Sequence, residues 1–324
     1  MTTPFDGFEV AAALRPSARG YEFDLARALD AVVALEAKIP HDAMTASILG
    51  TERIGNAVVI GADGLLLTIG YLITEAEMVT LTLNDGRTVQ AHALGVDQAT
   101  GFGLVQALEP LGLDPLPLGD SRPLDAQMAV IIAGAGGRAH AAAGRVLTRM
   151  QFAGYWEYLL DDAIITEPAH PHWSGAALIG SEGELLGIGS LSLESVTPEG
   201  PRPINMFVPI QHLPPILDDL SRGVASEAPR PWLGVFAHDM SGRIVIGGIS
   251  PKSPAERAEL KAGDLILAID DKPVADLADL YTRMWALGPA GVTIPLTLER
   301  DGDVFDVEVR SADRMKLLRK PRFN

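Results

Sequence analysis

Apolar and polar positions alternate in short runs along most of this chain, and the period of alternation changes twice. Over residues 22–38, EFDLARALDAVVALEAK, the positions Leu25, Leu29, Val32, Val33 and Leu35 recur at helical spacing and stop before Pro40. That spacing predicts one amphipathic helix. From residue 46 the period falls to two. NAVVI and LLLTI flank a Gly/Asp turn, and MVTLTL and TVQAHAL flank Asn84-Asp85-Gly86, so two hairpins are expected. GLVQAL, MAVIIAG, GRVLTRM, YWEYLLDDAIIT, AALIGSEGELLGIGSL and INMFVPI continue the series to residue 210. About a dozen short strands at close spacing predict a mainly β fold, an all-β sandwich or a pair of barrels. IQHLPPILDDLSRG then predicts a closing helix, interrupted early by Pro214 and Pro215.

The texture shifts again after SEAPRP, residues 226–231, which has a linker's composition. PWLGVFA, GRIVIGGI, DLILAID, IPLTLER and VFDVEVR read as strands, and SPAERAEL and DLADLYTRMWAL as short helices. Together they predict a small α/β domain. The expected organisation is therefore an N-terminal arm and helix over 1–45, a β domain over 46–222, a linker over 223–230, the α/β domain over 231–311 and a tail over 312–324. From Arg310 onward, Arg314, Lys316, Arg319, Lys320 and Arg322 face one acid, Asp313, so the tail is basic. Phe5, Phe8, Tyr21 and Phe23 precede the predicted helix, either packed on their own domain or offered to another subunit.

Composition narrows the function classes. The chain has 324 residues, 47% hydrophobic and 21% charged, with 33 Gly and 23 Pro, the profile of a globular protein rich in strands and turns. A net charge of −16 disfavours binding to nucleic acid or anionic lipid through the overall field. The absence of cysteine excludes disulfides, thiol nucleophiles and Cys-ligated zinc. No apolar run reaches the ~18 residues of a membrane span. The N-terminus as written shows no export signal, which points to the cytoplasm; removal of a leader before residue 1 would point to the periplasm.

Taken together, NAVVIGADGLLLTIGYLI, TLTLNDGRTVQAHALGVDQATGFGLVQAL, LPLGDS, HPHWSGAALIGSEGELLGIGSL and INMFVPI resemble the HtrA/Deg family. The resemblance runs from about residue 46 to 311 and implies a chymotrypsin-like double β-barrel followed by a small α/β PDZ domain. It places the family's nucleophile on Ser174, its histidine base on Tyr71, its aspartate on Gly101 and a glycine of its oxyanion hole on His172. Only the serine persists.

The chemical consequence follows from proton affinities. A serine hydroxyl attacks a carbonyl only when a base takes its proton. A phenol of ordinary pKa ~10 is protonated near neutrality, and Gly101 carries no carboxylate. His172 in place of glycine is expected to strain a backbone that needs φ > 0. No lysine lies between residues 39 and 251 to form a Ser–Lys pair. His170 and His172 are close in sequence to Ser174, and a rearranged Ser–His dyad through either of them is the lesser expectation. His170-Pro171-His172 supplies two imidazoles without a third ligand at metal-site spacing, so no metal or cofactor is expected.

The second domain keeps its recognition features. By the resemblance, Pro231-Trp232-Leu233-Gly234-Val235 is a carboxylate-binding loop in which Leu233, Gly234 and Val235 present backbone N–H groups to a peptide C-terminus. SPAERAELKAGDLILAIDDKPV carries the likeness further. The helix at 277–287 would wall the groove with Leu280, Met284 or Leu287. The expectation is a pseudoprotease, a scaffold or chaperone-like protein that binds peptide C-termini or one partner protein. The alternative is an active serine endopeptidase using Ser174 with a non-standard base. The resemblance also implies a homotrimer built through the N-terminal arm.

Overall fold

A computed structural model of the chain describes Phe5, residues 7–198 and residues 200–319. It divides into two compact units, one of residues 1–150, 162–226 and 319–324, the other of 151–161 and 227–318.

The first unit is built from two closed six-stranded barrels. The first barrel consists of β1 (Val32–Lys38), β2 (Glu52–Val59), β3 (Leu65–Ile69), β4 (Met78–Thr82), β5 (Thr88–Val96) and β6 (Phe102–Ala107), closed in the order 1-2-3-6-5-4. The second consists of β7 (Ala129–Ala133), β8 (Ala141–Gly154), β9 (Tyr158–Glu167), β10 (Ala177–Ile179), β11 (Leu185–Thr197) and β12 (Gly200–Pro209), in the order 10-11-12-9-8-7. Closure removes free sheet edges and turns alternate side chains into a common interior. In the second barrel that interior holds Val130, Ile132, Val146, Ile164, Leu178, Leu186 and Phe207.

The helix predicted over 22–38 is corrected. Only its first part is helical, α1 (Leu25–Asp30), capped by the Asp24 carboxylate, which accepts the Arg27 N–H at 3.2 Å. Residues 32–38 form β1, paired on one side with β2 (Val32↔Val58) and on the other with β4 (Ala34↔Thr82). The first barrel cannot close without this strand, so pairing on both flanks overrides the local period. The β domain accordingly begins near residue 32 and not at 46. The arm ahead of it packs on its own unit: Phe5 is buried, in a cluster with Ala34 and Ala135, and the Phe23 ring lies against Gly183.

Three short helices complete the first unit: α2 (Ala46–Leu49), α3 (Gly70–Ile73) directly after β3, and α4 (Leu217–Ser221), which follows the two prolines as predicted. Of the basic tail, Arg319 belongs to this unit, where its backbone N–H donates to Glu75 and its guanidinium pairs with Asp42. Lys320 and Arg322 lie outside the described residues.

The second unit holds one sheet, β13 (Val235–Asp239), β14 (Ile244–Ile249), β15 (Leu265–Ile269), β17 (Thr293–Arg300) and β18 (Asp303–Arg310) in that order, with β16 (Lys272–Pro273) paired to β15. Helices α5 (Pro254–Arg257) and α6 (Leu277–Ala286) accompany it, capped by the side chains of Ser253 and Asp276. Residues 151–161, expected to belong wholly to the β domain, are instead part of this unit. No helix among the described residues is long and apolar enough to cross a membrane.

One backbone position sets how the Ser174 loop is held. Gly175 has φ +72°, and a Cβ there would lie 2.0 Å from the Asn56 carbonyl oxygen and 2.7 Å from Thr68 Oγ1. Both obstacles belong to the first barrel and neither can yield cheaply. Gly175→Ala should therefore destabilise the first unit by about 3 kcal/mol or more, an overpacking clash added to an unfavourable φ. Chemical denaturation followed by circular dichroism measures it, and a loss under about 1 kcal/mol would contradict the packing described.

Candidate functional sites

Tyr71 is placed by the chain turning from β3 into α3. The Gly70 N–H donates to the Gly101 carbonyl at 2.7 Å, and a Cβ on Gly70 would meet Val96 at 2.5 Å, so the helix start sits tightly on the β5–β6 turn. Its far end is held by Arg53, whose buried guanidinium donates to the Tyr71 carbonyl at 2.6 Å and the Thr74 carbonyl at 3.0 Å. Arg53 also donates to Thr45 Oγ1 at 2.8 Å, which donates in turn to Glu75 at 2.7 Å. Burial pulls the Arg53 pKa down to about 10, against the opposing effect of Glu75. Sequence reading missed this Arg53–Thr45–Glu75 support, which joins positions distant in the chain.

The Ser174 loop is held from the other side by Asn56 on β2, which is fully buried. Its backbone N–H donates to the Ser174 carbonyl at 2.8 Å, and its side-chain amide donates to the His172 and Ser174 carbonyls, each at 2.9 Å. Its Oδ1 accepts the Ala135 N–H at 2.8 Å. The result brings Ser174 Oγ to 2.7 Å from Tyr71 Oη.

Donor counting fixes the direction of the protons. A phenol has one O–H to give. Tyr71 gives it to the Ser190 carbonyl at 2.8 Å, so toward Ser174 it is the acceptor and the serine hydroxyl is the donor. The chain runs Ser174 O–H to Tyr71 O–H to a backbone carbonyl, which is no base. Burial pushes the Tyr71 pKa up to about 12, further from service as a proton acceptor.

The remaining positions of the resemblance are equally silent. Gly101 sits at φ +84° in the β5–β6 turn and offers only backbone. The nearby Asp97 is turned on itself, accepting from the Thr100 N–H and hydroxyl, both at 2.7 Å. His172 corrects an expectation: it is absent from the residues with positive φ, so it bears no left-handed strain. Instead its N–H donates to His170 Nδ1 at 3.1 Å, which spends a group that an oxyanion hole would require. Its ring packs against Phe5 at 4.3 Å and Phe8 at 5.1 Å. Burial holds the pKa of His172 below its ordinary value and draws that of His170 down to about 4. Among the described residues no group of three or more His, Cys, Asp or Glu is disposed to hold a metal.

In the second unit the loop 233–235 does converge on one point. The N–H groups of Leu233, Gly234 and Val235 donate to the Glu157 carboxylate at 2.9, 2.6 and 2.9 Å. Gly234 takes φ +85°, and a Cβ on it would strike Ser253 at 2.3 Å. Leu280 and Met284 are 2% and 1% exposed and belong to the unit's core cluster, against which Ala153 and Leu159 also pack. Sequence reading did not single out Glu157, since nothing local marks a glutamate that lies some eighty positions from its partners.

Comparisons with known proteins agree with this architecture. Residues 55–188 match the trypsin-like peptidase domain family and residues 231–310 the PDZ domain family. The chain is 28% identical over 269 residues to the periplasmic pH-dependent serine endoprotease DegQ of Escherichia coli, covering 80% of this chain and 59% of that protein. It is also 28% identical over 284 residues to the serine endoprotease DegS of the same organism, covering 81% and 77%. Among solved structures, the HtrA-type protease AlgW with tripeptide superposes with a TM-score of 0.52 at 22% identity, over 95% of this chain and 99% of that one. The serine endoprotease from Yersinia pestis gives 0.51 at 21%, over 90% and 98%. These structural likenesses speak to the fold.

Glu157 is 6% exposed, and burial pushes its pKa up to about 7, against the three N–H groups and the nearby Arg314 charge. A raised carboxyl pKa means the seated form prefers the proton. Its contribution to the second unit's stability is then complete below the ordinary value of 4.5 and lost as pH rises through about 7. The ¹³C shift of the Glu157 side-chain carboxyl should titrate with a midpoint near 7. A midpoint near 4.5 would show that the carboxyl is not held as described.

Proposed function

We propose that this chain, which belongs to the HtrA family of trypsin-like peptidase and PDZ domains, is a pseudoprotease whose double barrel serves as a rigid scaffold and whose PDZ domain recognises protein or peptide C-termini. The observation that carries the first half is the hydrogen-bond chain from Ser174 through Tyr71 to the Ser190 carbonyl. Hydrolysis by this mechanism needs the serine proton to leave on a base, and the acceptor here is a buried phenol already committed to a carbonyl. In serine proteases generally, disabling the triad costs on the order of 10⁶ in turnover. The spent His172 N–H weakens oxyanion stabilisation as well.

The second half rests on three convergent amides at the head of β13, a geometry that captures a carboxylate while an extended peptide joins the sheet. DegQ is named as periplasmic, and the periplasm is the compartment this reading favours.

A fluorophosphonate probe and a casein assay test the catalytic half. The expected result is no adduct on Ser174 and no hydrolysis that Ser174→Ala removes. Tyr71→Phe should change neither readout, since the phenol is not acting as a base. Serine-dependent hydrolysis, or stoichiometric labelling of Ser174, would establish instead an endopeptidase with an unconventional base.

A further inference from the structure

The geometry points to a PDZ groove that is already filled by the chain itself: the turn Tyr155-Trp156-Glu157 is a tethered internal ligand, and an external peptide binds only by displacing it. This rests on the reading of the groove as a peptide site. It assigns to Glu157 the place of a peptide's terminal carboxylate.

Two registers agree on this. The Glu157 carboxylate accepts from the Leu233, Gly234 and Val235 N–H groups, the whole set expected to receive a C-terminus. Two residues further along each strand, the Ala237 N–H donates to the Tyr155 carbonyl at 2.9 Å. The contacts 157↔235 and 155↔237 step by two in opposite directions, as an added antiparallel strand does. The strand that receives them, β13, is the outermost of its sheet and pairs there only with β14. The turn thus places one backbone carbonyl and one side-chain carboxylate on the open edge of the sheet, where a peptide strand would bond.

Tyr281 on α6 closes the turn from the other side. Its hydroxyl donates to the Gly154 carbonyl at 2.9 Å and accepts the Glu157 N–H at 3.4 Å. The Tyr155 ring stacks on His238 at 5.1 Å, and Ala153 and Leu159 pack against the core that includes Leu280 and Met284. Glu157 adopts φ +61°, an uncommon conformation for glutamate that turns its side chain, in place of a chain end, into the amides.

The class of external ligand follows. It carries a free α-carboxylate for the three amides, an extended backbone for the β13 edge, and an apolar last residue to replace the surface that Leu159 covers. A tethered competitor acts at an effective concentration in the millimolar range for a short connection, so it weakens the apparent affinity of an outside peptide by the ratio of that concentration to the turn's own dissociation constant.

The test uses the full chain as wild type, Glu157→Ala and Glu157→Gln. Hydrogen exchange followed by mass spectrometry reads the segment 232–236. It should be slow in the wild type and at least about tenfold faster in Glu157→Ala, with Glu157→Gln between them because an amide oxygen still accepts. Exchange in β17 should stay unchanged, which shows that the unit remains folded. Equal exchange at 232–236 in all three proteins, with β17 intact, overturns the proposal. Should Glu157→Ala unfold the unit, Glu157→Gln alone decides, since faster exchange confined to 232–236 supports the internal ligand and unchanged exchange overturns it.

The second arm measures binding of a fluorescein-labelled peptide ending Tyr-Trp-Leu, with its C-terminal amide as control. Glu157→Ala should bind the free acid at least about tenfold more tightly than the wild type, and neither should bind the amide. Equal, tight binding by both proteins overturns self-occupancy. Faster exchange at 232–236 without peptide binding by either protein leaves the internal ligand standing and removes the reading of the groove as a site for free C-termini.

Discussion

The first unit depends on one buried side chain. Asn56 holds the Ser174 loop with its backbone N–H and side-chain amide, which reach the carbonyls of residues 172 and 174, while its Oδ1 takes the Ala135 N–H and its carbonyl the Thr68 hydroxyl. A fully buried amide left unsatisfied would be costly, so these bonds behave as a set. Gly175 completes the clamp by allowing the Asn56 carbonyl closer than any side chain would permit. Together they give the Ser174-Gly175 pair a structural role of its own. The loop is fastened by its backbone, and the fastening does not require the serine to react.

What the loop presents is consequently decided by its neighbour. With an imidazole opposite, the same position would offer a base; with Tyr71 it offers a second hydroxyl, and two hydroxyls in series end on the Ser190 carbonyl. Burial reinforces this, because removing the phenol from water disfavours its anion. The nearby histidines are drawn the same way: His170 is kept neutral, turned toward the His140 carbonyl with its other nitrogen taking the His172 N–H. The imidazoles of His170 and its neighbour His172 are thus engaged in shaping the Ser174 loop.

Much of this fold was legible because its signals are local. Asn84-Asp85-Gly86 turns β4 into β5, the two prolines at 214 and 215 break the closing helix, and the segments SPAERAEL and DLADLYTRMWAL carry the short helices α5 and α6. The failures share a different character. Residues 32–38 show helical spacing but are conscripted as the strand that closes a barrel, a demand made by β2 and β4. His172 was expected to suffer a glycine's φ, yet a neighbouring imidazole supplied its N–H with a partner at an ordinary angle. In each case the deciding contact comes from a segment remote in sequence.

Glu157 is the extreme of that pattern, and its position has a thermodynamic meaning. A free peptide loses translational and rotational freedom on joining a sheet edge, a cost the internal turn escapes because β8 and β9 already hold its two ends. The turn therefore needs little intrinsic affinity to stay seated. It does bear one cost of its own, a left-handed φ at Glu157, beside the burial of an acid whose charged form is disfavoured there, which a seated peptide carboxylate would share. A peptide α-carboxylate carries neither the strained residue nor the need for a turn. The internal ligand is thus advantaged by its tether and handicapped by its chemistry, and such an opposition lets a seated segment yield to a suitable competitor.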